Sequence, residues 1–269
     1  MSCKQFEMTD YTGKNGIYFS MQPPTATEVG TPDMWPIRDT INVDFLQQHA
    51  SIQELVQDIK VRVFGEVTNY DRTFAIEILE SSTAIAGEDY EAFSSLQVVP
   101  ANKHVTTFPI NFIRSQRISE ENVFLTLKLI ETKDFTIPFE KNIPPIYQQG
   151  SDSVYLNIVT FNITDKLYQP KTWNDYIAGA FTYTKMNLLL KLTQLTFSDF
   201  DNSEAMPFGR FKNYILTLKY FLDANEAEGT PVYETDTRGN IIYQTDENGE
   251  YVLDENGNKQ AVKVTLGKI

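Results

Sequence analysis

Aromatic rings set among polar side chains are the part of this sequence best equipped to hold another molecule. Tyr168-Gln169-Pro170-Lys171-Thr172-Trp173-Asn174-Asp175-Tyr176 places three rings in a polar, loop-like stretch, and Trp35 lies in a loop rich in proline. Sugar rings present C–H faces that stack on indole and phenol rings. Loops carry binding groups more often than the elements they connect. Trp35, Trp173, Tyr168 and Tyr176 are therefore the candidate glycan-stacking residues. Trp173 has a second reading as a core anchor, because tryptophan is highly buried on average.

Groups for catalysis are scarcer. The chain has two histidines, His49 and His104, and no Gly-x-Ser-x-Gly elbow, phosphate-cradling glycine loop or His-Glu-x-x-His pair. With 36 acids some pair always falls at a separation suited to glycoside hydrolysis, but no local pattern singles out an acid and its partner. The expectation is a protein that is not an enzyme, with no catalytic residues, cofactor or metal. Between Asp223 and Gly257 there are ten acids against one base, Arg238. Two Asp-Glu-Asn-Gly turns repeat there, at Asp246 and Asp254. A calcium loop of the EF-hand type needs its Gly sixth and here it comes fourth, so these read as solvated hairpin turns.

Charge narrows the partners. Lys and Arg number 23 against 36 Asp and Glu, a net charge of −13. Nucleic acid and anionic membrane surfaces both demand a positive face and are excluded as partners. No apolar run reaches the roughly 20 residues that span a bilayer. The single cysteine, Cys3, precludes an intrachain disulfide. Bacterial lipoproteins are cut immediately before a Cys that then carries the lipid, and Met1-Ser2-Cys3 reads as the end of such a signal. Cys3 is the expected lipidation site, with residues 1–14 as a polar tether.

The positioning elements are mostly strands. Ile41, Val43 and Phe45 alternate with polar partners, as do Ile59, Val61 and Val63, then Phe74, Ile76 and Ile78, then Phe108, Ile110 and Phe112. Val123, Leu125, Leu127 and Leu129 are the clearest case. A period of two with turns between predicts antiparallel sheets burying one face each. Residues 15–137 are expected to form a β-sandwich of roughly seven strands. Residues 46–58 read either as strand or as a short helix. Pro138, Pro144, Pro145 and Gly150 mark 138–150 as a linker. Residues 151–269 then read as a smaller α+β domain with C-terminal hairpins. Within it 186–192 fits a helix capped by Thr184 or a buried strand, and Phe211–Ala224 has helical spacing.

Two stretches carry a family resemblance. Thr83-Ala84-Ile85-Ala86-Gly87-Glu88-Asp89-Tyr90 resembles the Thr-Ala-x-x-Gly-x-Asp-Tyr signature of Calx-β domains, an Ig-like sandwich. That resemblance implies acids at Glu80, Glu120 and Glu121 for calcium. The acidic triplet of the family reads Arg114-Ser115-Gln116 here, and the acid after Glu80 is Ser81, which disables such a site. Tyr18-Phe19, Gly65, Asp71-Arg72, Trp173, Gly179 and Thr182 to Lys185 are similar to a Bacteroidetes lipoprotein family of unknown function, DUF4843. The resemblance implies genes beside outer-membrane glycan-uptake systems of the starch-utilisation type.

Together these readings give a mainly β protein, an N-terminal Ig-like or Calx-β-like antiparallel sandwich followed by a smaller α+β domain. The expected role is a lipid-anchored outer-membrane protein that captures a polysaccharide or supports glycan-uptake proteins. The alternative is a protein–protein interaction or adhesion subunit of the cell envelope, and the third is a glycoside hydrolase.

Overall fold

A computed structural model describes residues 15–22, 37–49, 51–142 and 153–268. They form two compact units that interleave along the chain. The first takes the described residues up to Val43, then Glu54–Ile113 and Val123–Ile163; the second takes Asp44–Gln53, Arg114–Asn122 and the chain from Thr164 onward.

The strands are β1 Gly16–Phe19, β2 Thr40–Asp44, β3 Glu54–Phe64, β4 Arg72–Ile78, β5 Leu96–Val99, β6 Val105–Ile113, β7 Val123–Ile130, β8 Lys141–Asn142, β9 Val154–Tyr155 and β10 Ile158–Thr164. One sheet has the order β1-β3-β6 and the other β2-β10-β7-β4-β5. The alternating residues are the core. Ile59 faces Phe108 across the β3–β6 ladder, and Leu125 faces Phe161 across β7–β10, all of them buried. Phe74 meets Phe108 at 6.3 Å between ring centroids, and Phe112 meets Phe161 at 5.4 Å. Those pairs join the inner faces of the two sheets, so the first unit is an antiparallel β-sandwich. Its β5 edge is covered by side chains. Ser94 Oγ accepts from the Leu96 N–H and donates to the Leu96 carbonyl, and Thr106 Oγ1 donates to the Val98 carbonyl. Such covering blocks strand addition from another chain.

The expected boundary is corrected. Residues 138–150 do not divide the units, because β10 pairs with β7 inside the five-stranded sheet. Its buried Val159, Phe161 and Ile163 oppose Leu127, Leu125 and Val123, so the sandwich claims the strand after the proline-rich stretch. The segment 46–58 is also resolved. A three-residue 3-10 helix, Phe45–Gln47, is followed by β3 from Glu54.

The second unit is α+β, as expected, with α1 Asp175–Ala178, α2 Tyr183–Thr193, α3 Phe197–Asp201 and α4 Phe208–Ala227. Thr182, not Thr184, caps α2; its side chain accepts from the Lys185 N–H. Thr184 is buried and instead bonds Thr235. Met186, Leu189, Phe200, Phe211, Ile215 and Leu218 form the helical core, with Leu46 contributed from the earlier segment. No helix among the described residues is long and apolar enough to cross a membrane.

From Pro231 the chain builds a small three-stranded prism. The Ile242 N–H donates to Glu234, the Glu234 N–H to Val262, and the Val262 N–H back to Ile242, a closed triangle of backbone bonds. Val252, Gln244 and Gln260 close a second triangle in the same way. Three turns, starting at Asp236, Asp246 and Asp254, link the strands. Each Asp Oδ1 accepts from the N–H groups two and four residues on. The hairpin turns expected at the Asp-Glu-Asn-Gly repeats are present. Only Gly239, Gly249 and Gly257 are left-handed, and the asparagines before the last two are not. These are three-residue loops closed by a left-handed glycine.

The Calx-β-like signature is a structural loop. Asp89 is fully buried, and its carboxylate accepts from the Ile85 N–H at 2.8 Å while the Asp89 N–H donates to the Ile85 carbonyl. Gly87, at φ 82, lets the chain turn between them. Asp89→Ala is expected to lower the stability of the sandwich by about 1–3 kcal/mol, because the loop amide is left unpaired. A urea denaturation midpoint shifted by less than the error of the curve contradicts this reading.

Candidate binding groove

The predicted rings do not converge. Trp173 is buried, 7% exposed, and its indole N–H donates to the Gly179 carbonyl at 3.0 Å. Phe181 and Phe211 pack edge-on against it at 5.1 and 5.7 Å. The platform reading of Trp173 is thereby corrected: a ring enclosed by two others has no face left for a sugar. Gly179, Thr182 and Lys185 complete the same knot, since Lys185 Nζ donates to the Ala178 and Ala180 carbonyls at 3.1 and 2.7 Å. Tyr168 lies edge-on to Phe197 at 4.7 Å, and its hydroxyl donates to Asp201 at 3.2 Å. Partial burial, then the neighbouring Asp201, raises the Tyr168 phenol above its ordinary pKa. Tyr176 is exposed, and its carbonyl accepts from the Lys268 N–H. Trp35 and Cys3 lie outside the described residues.

The residues weighed for calcium are dispersed among other partners. Glu120 takes both Nε and Nη2 of Arg238 at 2.6 Å, and Glu121 pairs with Arg117 at 3.2 Å. Glu80 is exposed. Among the described residues no three His, Cys, Asp or Glu side chains are placed to hold a metal ion.

The prism carries an exposed ring pair and a groove that share Lys259. Tyr243 and Tyr251 stand at 6.1 Å with an interplanar angle of 86°, 36% and 52% exposed. Lys259 Nζ lies 3.6 Å from the Tyr251 ring centroid and 5.7 Å from that of Tyr243. The same lysine lines a groove of about 710 Å3 with Tyr233, Gln244, Asp254, Gln260 and Lys263. Lys263 is bound to Glu226 at 2.7 Å. The Gln244 side-chain amide has no protein partner among the described residues, so its donors and acceptor face solvent. Asp254 is spent on its own turn. Its carboxylate accepts from the backbone of Asn258 and Asn256, which holds it below the ordinary carboxylate pKa.

These residues escape sequence reasoning because they sit among acids and turn formers. A signal was present: Tyr243, Tyr251 and Lys259 are spaced by eight residues, the period of the two Asp-Glu-Asn-Gly turns. That period returns each side chain to the same region of the prism.

Comparisons with known proteins add a family. The family described as Domain of unknown function (DUF4843) matches residues 11–195, more than half of the chain. Among solved structures, the apo-form Calx CBD1 domain is 17% identical, with 58% of this chain and 100% of that one covered and a TM-score of 0.35. A protein of unknown function from Bacteroides ovatus is 13% identical, with 60% and 46% covered and a TM-score of 0.35. A multidomain protein including DUF1735, also from Bacteroides ovatus, is 14% identical, again with 60% and 46% covered, at 0.34. The matches thus span about half the length of those two chains. No curated protein matches.

Two outcomes are expected. Trp173→Ala costs about 3–5 kcal/mol by opening the helical core, read as a lower denaturation midpoint; an unchanged midpoint contradicts the buried placement. Asp236 is held below its ordinary pKa first by the Asn240 side chain, Asp246 by the Glu250 N–H and Asp254 by the Asn258 N–H. A carboxylate with a lowered folded-state pKa stabilises above the unfolded value, near 3.9, and loses that contribution as pH falls through the folded value. The Gly239, Gly249 and Gly257 amide resonances are therefore expected to be constant from about pH 5 upward and to broaden or shift below about pH 4. Spectra unchanged down to about pH 2 contradict it.

Proposed function

This chain belongs to the DUF4843 family, a domain of unknown function, and from that premise we propose that it captures glycan without altering it. The observation that carries the proposal is the exposed Tyr243–Tyr251 pair under Lys259, a lysine that also lines the prism groove with Tyr233 and Gln244. Sugar C–H faces stack on the phenol rings, while the amide and ammonium select hydroxyls. Lys259 covers one face of Tyr251 and swings aside, or donates to a hydroxyl, as a ring docks.

Charge favours a neutral glycan, since a chain of net charge −13 repels an anionic polymer. The carboxylate among the groove's lining residues, Asp254, is engaged by the backbone of its own turn, and no second acid pairs with it among those residues. On this reading a lipid on Cys3 anchors the protein at the outer membrane, where tethering raises the local concentration of binding sites for a glycan-uptake complex.

A second reading, adhesion to a protein partner, has its own observation. Leu96, Ala75 and Ile130 lie in one row on the outer face of β5, β4 and β7, with Leu96 61% exposed. Exposed apolar patches mark protein contacts when they grow large.

Affinity gel electrophoresis against neutral plant, host and microbial polysaccharides separates the two. The wild type is expected to be retarded by at least one polymer, and a Tyr243→Ala/Tyr251→Ala variant to run freely with its fold intact. Contacts with an aromatic face are worth about 0.5–1.5 kcal/mol per ring, enough for the double variant to lose a weak complex. No retardation by any polymer removes the glycan reading and directs the search to pull-downs from the envelope.

A further inference from the structure

A second cavity in the α+β unit is unlike the groove. It is a partly open cavity of about 160 Å3 whose lining includes Leu190, Phe197, Tyr183, Asn187, Arg114 and Asp165. That volume equals about five waters, the size of one six-membered sugar ring and too small for a chain. Arg114 Nε and Nη2 each donate to Asp165 at 2.7 Å, and Nη1 donates to the His49 and Ile52 carbonyls at 3.2 Å. Four of the five guanidinium N–H bonds are thus used, and one on Nη2 is left. Asp165 receives no other side-chain or backbone donor among the described residues, so each of its oxygens keeps accepting capacity. A fixed N–H donor stands beside a fixed carboxylate acceptor in a pair with no net charge.

Adjacent hydroxyls of a sugar offer the matching pattern, one oxygen accepting and the neighbouring O–H donating. The apolar lining residues Leu190 and Phe197 suit the C–H face of the same ring, and the Asn187 amide adds a further polar group. We propose that this cavity is a separate site for a single neutral sugar ring, held through a vicinal diol on the Arg114–Asp165 pair. The site stands or falls independently of the prism groove, because the two share no residue.

The test uses the whole protein with methyl-labelled leucine and the monosaccharides glucose, galactose, mannose and xylose. The Leu190 methyl resonances are expected to shift in saturable fashion with at least one sugar. Leu190→Phe, which fills the cavity, and Asn187→Ala, which leaves its volume but removes an amide, are each expected to weaken binding at least tenfold. For the Leu190→Phe variant binding is followed at the Leu195 methyls, which also line the cavity. The Tyr243→Ala/Tyr251→Ala variant is expected to bind as the wild type does. Leucine methyls that no sugar moves overturn the proposal. So does binding that survives both cavity variants, or that is lost in the tyrosine variant, since either places the sugar elsewhere. The polysaccharide result of the electrophoresis is unaffected by any of these outcomes.

Discussion

The ammonium of Lys185 leaves water to lie within the second unit, and burial lowers its pKa. Taking a charge out of water is costly unless hydrogen bonds and an opposite charge replace the solvent. The Ala178 and Ala180 carbonyls supply the bonds, and the left-handed Gly179 between them, φ 69, turns both toward the nitrogen. A side chain at Gly179 would stand 3.1 Å from Lys185 Nζ. The opposite charge is Glu234, itself buried, on the first strand of the prism. Trp173 closes the knot from the other side by bonding Gly179. Helices, turn and prism are thus tied through one cation, and the groove has its position because that cation is satisfied.

Much of the sandwich was legible because its signal is local. Alternation in Ile59-Lys60-Val61-Arg62-Val63 and in Val123 to Leu129 needs only a period of two, and the ladders keep that period in register. The helix around Phe211 was legible for the same reason, through its three-and-four spacing. The boundary was not, because prolines in 138–150 report local backbone restriction while the place of β10 is decided by pairing with β7. Trp173 kept two readings until its neighbours were known. Phe181 is eight residues further on across the turn at Gly179, and Phe211 is thirty-eight residues on, beyond a pattern window of about 11–18 residues. Tyr243 and Tyr251 were obscured by composition, since an acidic turn-rich segment reads as solvated surface even when alternate positions carry rings.

The 83–90 stretch and Arg114 each have a structural role in this chain. Asp89 closes its loop by accepting the Ile85 N–H, a role a single carboxylate performs. The Arg114 guanidinium bridges Asp165 and the His49 and Ile52 carbonyls.

The interleaving of the units bears on how the protein is made. A chain synthesised from its N-terminus exposes Phe45 and Leu46 long before residues 164–218 emerge to cover Leu46 in the helical core. Domains fold as units as their sequence becomes complete, so the sandwich can close only after β10, with two stretches of the other unit still waiting on its loops. The order of birth along the chain is therefore not the order of completion, and the nascent protein carries unsatisfied apolar side chains through most of its synthesis.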